Sequence, residues 1–207
     1  MAKEIGFYSC TVTTNAQVDF SHCEADSIWV SLDGIGEYHN AIRGSGAFEK
    51  LLENIDINSH PQLSVNMVIN TLNYQSVRET IEFAKNHKNI KSIAINFHTP
   101  YPGTEYLILD WETRRKIIDE IIAMKKSGYP IMNSASGLEL MKTNDFEKHC
   151  WVTNFVMVDH TRYTECQGKT AGICADCGFC MAGEMHSVFN FKLDTIIDGL
   201  KLRLLGR

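Results

Sequence analysis

Apolar and polar positions alternate along the first two-thirds of the chain with two distinct periods. Phe7 to Thr14 is rich in β-forming residues and ends in Thr13-Thr14-Asn15. Ser27-Ile28-Trp29-Val30-Ser31-Leu32 is a short, nearly continuous apolar run, the pattern of a buried parallel strand, and Asp33-Gly34 stops it. From about Gly46 the period lengthens, and Phe48, Leu51, Leu52 and Ile55 fall on one helical face. Leu63 to Ile69 returns to period two through Val65, Met67 and Ile69. Ser76 followed by Glu79 predicts a capping box, opening a helix with the stripe Val77, Ile81 and Ala84. Ile90 to Phe97 predicts a further strand, with His98 to Gly103 as the loop at its end. The clearest helix runs from about Asp110 to Lys126 on Trp111, Ile117, Ile118, Ile121, Ile122 and Met124, and Ser127-Gly128 ends it. Tyr129 to Asn133 predicts a fifth strand, and Met1 to Gly6 reads as the end of a helix.

Repeated β-then-α units of roughly 30 residues predict an α/β fold with a parallel sheet and right-handed crossovers. Ligands in such sheets bind at the C-terminal ends of the strands. Those ends carry Thr14, Asn15, Ser31, Asp33, Asn70, Asn96, His98 and Asn133. After about Leu140 the periodicity weakens, cysteine, glycine and histidine rise, and Phe191 to Leu205 closes the chain as an amphipathic helix. The expected division is therefore 1–140 and a cysteine-rich extension, 141–207.

Composition narrows the function classes. With 207 residues, 44% of them hydrophobic, the chain can bury a sizeable core. A net charge of −5 without a basic cluster argues against nucleic acid as the main partner. No apolar run has the length of a membrane helix. The absence of a signal peptide predicts a cytoplasmic, reducing location, where clustered cysteines bind metal more often than they form disulfides.

The seven cysteines are unevenly spread. Cys10 and Cys23 read as packing thiols. The others follow the spacing Cys150-x15-Cys166-x7-Cys174-x2-Cys177-x2-Cys180, with Gly172 and Gly178 allowing tight turns. Overlapping C-x2-C pairs place soft thiolates around one centre, suited to a [4Fe-4S] cluster or to a structural zinc. Five candidates stand where one centre needs four.

Ser31-Leu32-Asp33-Gly34, then His39 and the run Ile42-Arg43-Gly44-Ser45-Gly46-Ala47-Phe48, resemble the radical-SAM superfamily, in particular members with a SPASM or twitch extension. Thr13-Thr14-Asn15 resembles that family's "TTNG" strand end, with Ala16 in place of glycine. The order Asn133-Ser134, Cys150-Trp151, Cys166, Cys174-Ala175-Asp176-Cys177 is similar to the adenosylhopane-forming group. Two departures leave the substrate open: the last cysteine follows Cys177 more closely, and Val156-Met157-Val158-Asp159-His160 replaces a Trp-rich stretch.

The resemblance implies a partial (β/α)6 radical-SAM-type barrel and S-adenosylmethionine as co-substrate of an oxidoreductase. Thr14, Asn15, Ser31 and Asp33 would line the S-adenosylmethionine pocket, and Arg43 would pair with the methionine carboxylate. Cys150, Cys166, Cys174, Cys177 and Cys180 would supply the ligands of an auxiliary cluster. The substrate would be a small molecule or a peptide, and the electron donor a ferredoxin or flavodoxin. His98, Tyr101, Glu105 and His160 are candidate substrate-side groups. The family's C-x3-C-x2-C motif and "GGEP" segment do not occur in the sequence. The chain accordingly reads as a barrel lacking its first β/α units, a fragment inactive by itself. Half of a split enzyme and a non-catalytic zinc- or cluster-stabilised binding or electron-transfer module are the alternatives.

Overall fold

The computed structural model describes residue 2 and residues 4–204, with residues 202–204 described by backbone alone. Met1, Lys3 and Leu205, which the periodicity assigns to helices, lie outside the described residues. Beyond them, Gly6 takes φ 94 and the Phe7 N–H donates to the Ala2 carbonyl. This closes a turn, and no helix is assigned among the described residues ahead of Thr11, where the sequence predicts the end of one.

Four parallel strands, β1 (Thr11–Thr14), β2 (Ser27–Ser31), β3 (Leu63–Ile69) and β4 (Ser92–Phe97), lie side by side in chain order. Sequential parallel neighbours with right-handed crossovers put every connecting helix on the same face of the sheet. The burial pattern agrees. Ile28, Val30, Val65, Met67, Ile93, Ile95 and Phe97 share one buried face. It packs against α2 (Ala47–Asp56), α3 (Val77–Asn86) and α4 (Trp111–Lys126), whose Leu51, Ile55, Ile81, Ile118 and Ile121 join the same core.

The opposite face is polar and half-buried. Thr11 and Ser27 meet at 2.7 Å, Ser64 and Ser92 at 2.8 Å, and Asn96 donates to Asn66 at 2.8 Å. The sheet thus carries a ladder of side-chain hydrogen bonds on the face opposite its apolar core. The described residues form an open sheet with β1 at one edge.

A fifth strand does not form over Tyr129–Asn133; one parallel bridge, Ile93 to Ile131, stands in its place. Pro130 has no N–H to extend the ladder. The Asn133 side chain continues it instead, accepting from Ile95 N–H at 2.7 Å and donating to Ile95 O at 3.0 Å. Between β2 and α2, where the periodicity predicts no element, stands α1 (Glu37–Arg43), in which His39 alone is buried, so no apolar stripe announced it. Ser76 does precede α3, but without a capping box. Its hydroxyl faces the Ile35 N–H at 3.1 Å and Thr80, because a preceding turn of 3-10 helix, Tyr74–Ser76, turns it into the core. Asp110 does cap α4, accepting from Thr113 N–H at 2.8 Å.

α5 (Ala135–Leu140) leads into the extension, which is built from the short hairpin β5 (Phe155–Val156) and β6 (Arg162–Tyr163), α6 (Gln167–Thr170), α7 (Met181–Phe189) and α8 (Leu193–Leu204). Helices α5 and α7 cross with Gly183 against the Gly137 carbonyl, so closely that a Cβ at 183 would lie 2.5 Å from it. Glu184 accepts from Ser134 N–H at 2.9 Å, Asp194 from Ser136 N–H at 2.9 Å, and Thr195 donates to Ser134 at 2.8 Å. The last two helices are thereby tied to the segment that follows the sheet.

A candidate metal centre at the mouth of the sheet

The cysteine loop is docked on the C-terminal end of β4. Gly178 O accepts from Phe97 N–H at 2.8 Å, Gly178 N–H donates to the Thr99 hydroxyl at 3.0 Å, and Cys180 N–H donates to Asn96 at 2.9 Å. A Cβ at residue 178 would fall on the Phe97 carbonyl. Glycine is thus required at 178 by this close approach, whereas Gly172, at φ 72, supplies a turn. Asn144, buried and itself at φ 59, donates from one amide group to the carbonyls of Ala175 at 2.7 Å and Cys177 at 3.0 Å. Lys148 in turn donates to Asn144 O at 2.8 Å.

Four thiols, Cys150, Cys166, Cys174 and Cys177, stand near enough to act on one another's ionisation. Burial pushes Cys150 up, and neighbouring Cys166, Cys177 and Cys174 push it further, against the pull of Lys148. Burial likewise raises Cys177; the Phe179 N–H and Lys148 oppose that, while Cys166 and Cys174 add to it. Cys166 heads α6 and its sulfur accepts from Gly168 N–H at 3.4 Å. A cavity of about 300 Å³ opens beside Cys150 and Cys174, with Lys148, Trp151, Glu165 and Lys169 in its walls. Among the described residues, no three His, Cys, Asp or Glu side chains are drawn tightly enough together to hold a single ion.

Cys180 is placed differently. It is 0% exposed, and its thiol is pushed up to about 12 by burial, against the pull of Arg114 and with pushes from Glu184 and Cys177. Beside it stands Arg114, a residue the sequence reading passed over. Arg114 is 2% exposed and donates to the Cys177 carbonyl at 3.2 Å. Its guanidinium lies 4.6 Å from the Phe97 ring centre and 4.8 Å from that of Trp111. The signal was present: Arg114 falls in phase with Trp111, Ile117 and Ile118 on the apolar stripe of α4.

The residues expected around S-adenosylmethionine gather at the neighbouring ends of β1 and β2. Thr14 and Asn15 close the turn after β1, accepting from Ala16 N–H at 3.0 Å and Gln17 N–H at 3.2 Å. Ala16, where the similar pattern has glycine, takes φ 55, a glycine-favouring conformation. Ser31 ends β2 half-buried, opposite Asn66. Asp33 is 2% exposed; one oxygen accepts from Val68 N–H at 3.0 Å and the other meets Arg43 Nε and Nη2 at 2.7 Å. Arg43 is therefore engaged with Asp33 and keeps a third of its side chain exposed. His39 Nδ1 accepts from Asp33 N–H at 3.1 Å, and burial lowers its pKa, so the ring is neutral with its proton on Nε2.

The remaining candidates separate. Burial raises the Tyr101 hydroxyl pKa, and Cys166, Cys177 and Cys174 add to the rise. His98 Nε2 lies 3.0 Å from the carbonyl and the hydroxyl of Thr104, bracing the loop after β4. Glu105 is exposed and accepts from Gly103 N–H at 2.8 Å, and His160 sits at φ 67 in the exposed β5–β6 turn. Cys10 lies one residue ahead of β1, and Cys23 packs against the core. No helix among the described residues is long and apolar enough to cross a membrane. No family model, curated protein or solved structure matches this chain, so its function is argued from this geometry and chemistry alone.

Proposed function

We propose that the chain holds an auxiliary [4Fe-4S] cluster on Cys150, Cys166, Cys174 and Cys177. In this reading it belongs to a radical-SAM-type enzyme that cleaves S-adenosylmethionine reductively for radical chemistry on a small-molecule or peptide substrate. What supports this reading is a cysteine loop docked on the C-terminal end of a parallel strand, where such sheets bind ligands, with four thiols near enough to act on one another's ionisation. The donor set suits an iron–sulfur centre: four soft sulfurs, N–H groups directed at two of them, and cations nearby. Cys180 is the surplus cysteine, held beneath the loop by its own burial.

When bound, the cluster would supply one-electron chemistry or a docking point for substrate. The chain's residues do the positioning. Gly178 and Asn96 fix the loop against β4, Asn144 orients its carbonyls, and Lys148 and Arg114 bring positive charge to the thiolates. At the other end of the mouth, Thr14, Asn15 and Ser31 would line the S-adenosylmethionine pocket. Arg43, steadied by Asp33, would turn its open side to the methionine carboxylate. The cluster that cleaves S-adenosylmethionine would be held by cysteines outside this sequence, with a ferredoxin or flavodoxin as electron donor in the cytoplasm.

The test is anaerobic purification with iron, sulfide and zinc measured per chain, beside a visible spectrum. Near-stoichiometric iron and sulfide with broad absorption in the blue is the expected result. Zinc without sulfide would make the extension a structural module and overturn the cluster.

A further inference from the structure

Arg114 is a buried cation with no carboxylate in hydrogen-bonding or ion-pair contact among the described residues. Its Nη2 reaches only the Cys177 carbonyl at 3.2 Å, and its Nε has no partner. The aromatic faces of Phe97 and Trp111 flank it. It also stands in the first turn of α4, where the exposed N–H groups already carry positive potential and a cation is disfavoured. A charge in this position is costly unless an anion compensates it. The groups that pull its charge are Cys180, then Cys177, then Asp176, all on the loop that presents the thiols. Cys180 is held neutral by burial. Asp176 makes no ion pair or hydrogen bond with it among the described residues, so the anion that would complete the arrangement, on the loop its Nη2 touches, is the one created when Cys177 and its three partners bind metal.

Resting on the four-cysteine reading, we infer that Arg114 is the built-in counter-cation of the metal centre. Four thiolates around a divalent ion or an oxidised cubane leave a net negative charge. A fixed guanidinium behind Cys177 stabilises that charge, and stabilises it more after the cluster gains an electron. The residue thus sets how firmly the centre holds its metal and raises the potential at which it is reduced.

The experiment compares the full chain with Arg114→Met, which keeps the volume, and Arg114→Lys, which keeps the charge. Each is loaded anaerobically with iron and sulfide, or with zinc. Metal release to EDTA, the midpoint potential of any cluster and thermal unfolding of the metal-free protein are measured. The expected result for Arg114→Met is at least tenfold faster metal release. Its midpoint should fall by a tenfold change in the one-electron equilibrium, about 59 mV. Its metal-free form should unfold at the same or a higher temperature, because an uncompensated buried charge has been removed. Arg114→Lys should recover most of the metal retention and potential. Unchanged release and potential, with metal-free and metal-loaded forms destabilised alike, would make Arg114 a prop for the Cys177 carbonyl and overturn the proposal. A metal-free Arg114→Met that fails to fold would count against it too, and Arg114→Lys then reads the charge effect. Wild-type protein that takes up neither iron nor zinc overturns the four-cysteine reading itself and the counter-cation with it.

Discussion

Cys177 and Cys180 are three positions apart, yet their surroundings give them opposite tasks. Cys177 has the thiols of Cys166 and Cys174, a directed N–H and a nearby lysine acting on it, whereas Cys180 has a fully buried sulfur. Cys177→Ala should abolish metal retention, while Cys180→Ala should keep full metal content and lose about 1–2 kcal/mol of stability to the cavity it leaves. Metal analysis beside thermal unfolding separates the two, and equal metal loss in both would put Cys180 among the ligands. Arg43 carries a similar double reading. Its loss strands the buried Asp33 carboxylate, so Arg43→Ala should cost about 1–3 kcal/mol in thermal unfolding before any ligand is added. An additional loss of S-adenosylmethionine affinity, in an assembly that binds it, is what the carboxylate-pairing role predicts.

Between elements, two glycines and one carboxyl decide how the extension is held. Because a Cβ at 178 would meet the Phe97 carbonyl, Gly178→Ala should cost about 1–3 kcal/mol and reduce metal uptake, as the loop must lift from β4. Gly183 allows the crossing of α5 and α7, and Glu184 bonds across it. Burial raises the Glu184 carboxyl to about 7, against the pull of its Ser134 hydrogen bonds and Lys125 and with a small push from Asp198. The folded value lies above the unfolded 4.5. The folded state therefore binds more protons between the two, and this contribution is present below about pH 4.5 and lost as pH rises through about 7. Since the carboxyl keeps some contact with solvent, the loss should be about 1–2 kcal/mol. Urea unfolding at several pH values should show this slope in the metal-free protein and a flatter one in Glu184→Gln.

On the scale of the whole molecule, the sheet is asymmetric. The β4 side is covered by the cysteine loop and the Ile131–Asn133 segment, while β1 forms the open edge. Near that edge Ile5, Phe7, Val12 and Val18 are 70%, 62%, 41% and 69% exposed. β1, Thr-Val-Thr-Thr, leaves its outer edge unpaired with Val12 exposed, and an unpaired edge invites pairing between chains. Sedimentation at rising concentration should show self-association, and Val12→Lys should suppress it; a monomer at all concentrations would show that the edge is guarded. The same winding places the Asp33–Arg43 cluster and the cysteine loop at one mouth, two strands apart.

The periodicity of apolar residues determined by itself the β/α alternation, the long helix α4 and the parallel sheet, because each depends on which face of a local element must leave water. Cysteine spacing determined that the extension concentrates thiols in one loop. Other features belonged to the tertiary structure. His39 alone is buried on α1, so no stripe marked that helix. Pro130 broke the fifth strand and Asn133 repaired it by a side-chain bond that leaves no periodic trace. The separation of Cys180 from the other four tail cysteines, and the pairing of Arg43 with Asp33, were set by burial and by contacts between distant segments. Arg114 was visible as a charge on an apolar stripe, but only the docked loop gave it Cys177 as a neighbour. Local pattern fixes what each segment can form; which polar groups are left facing one another depends on segments far apart in the chain.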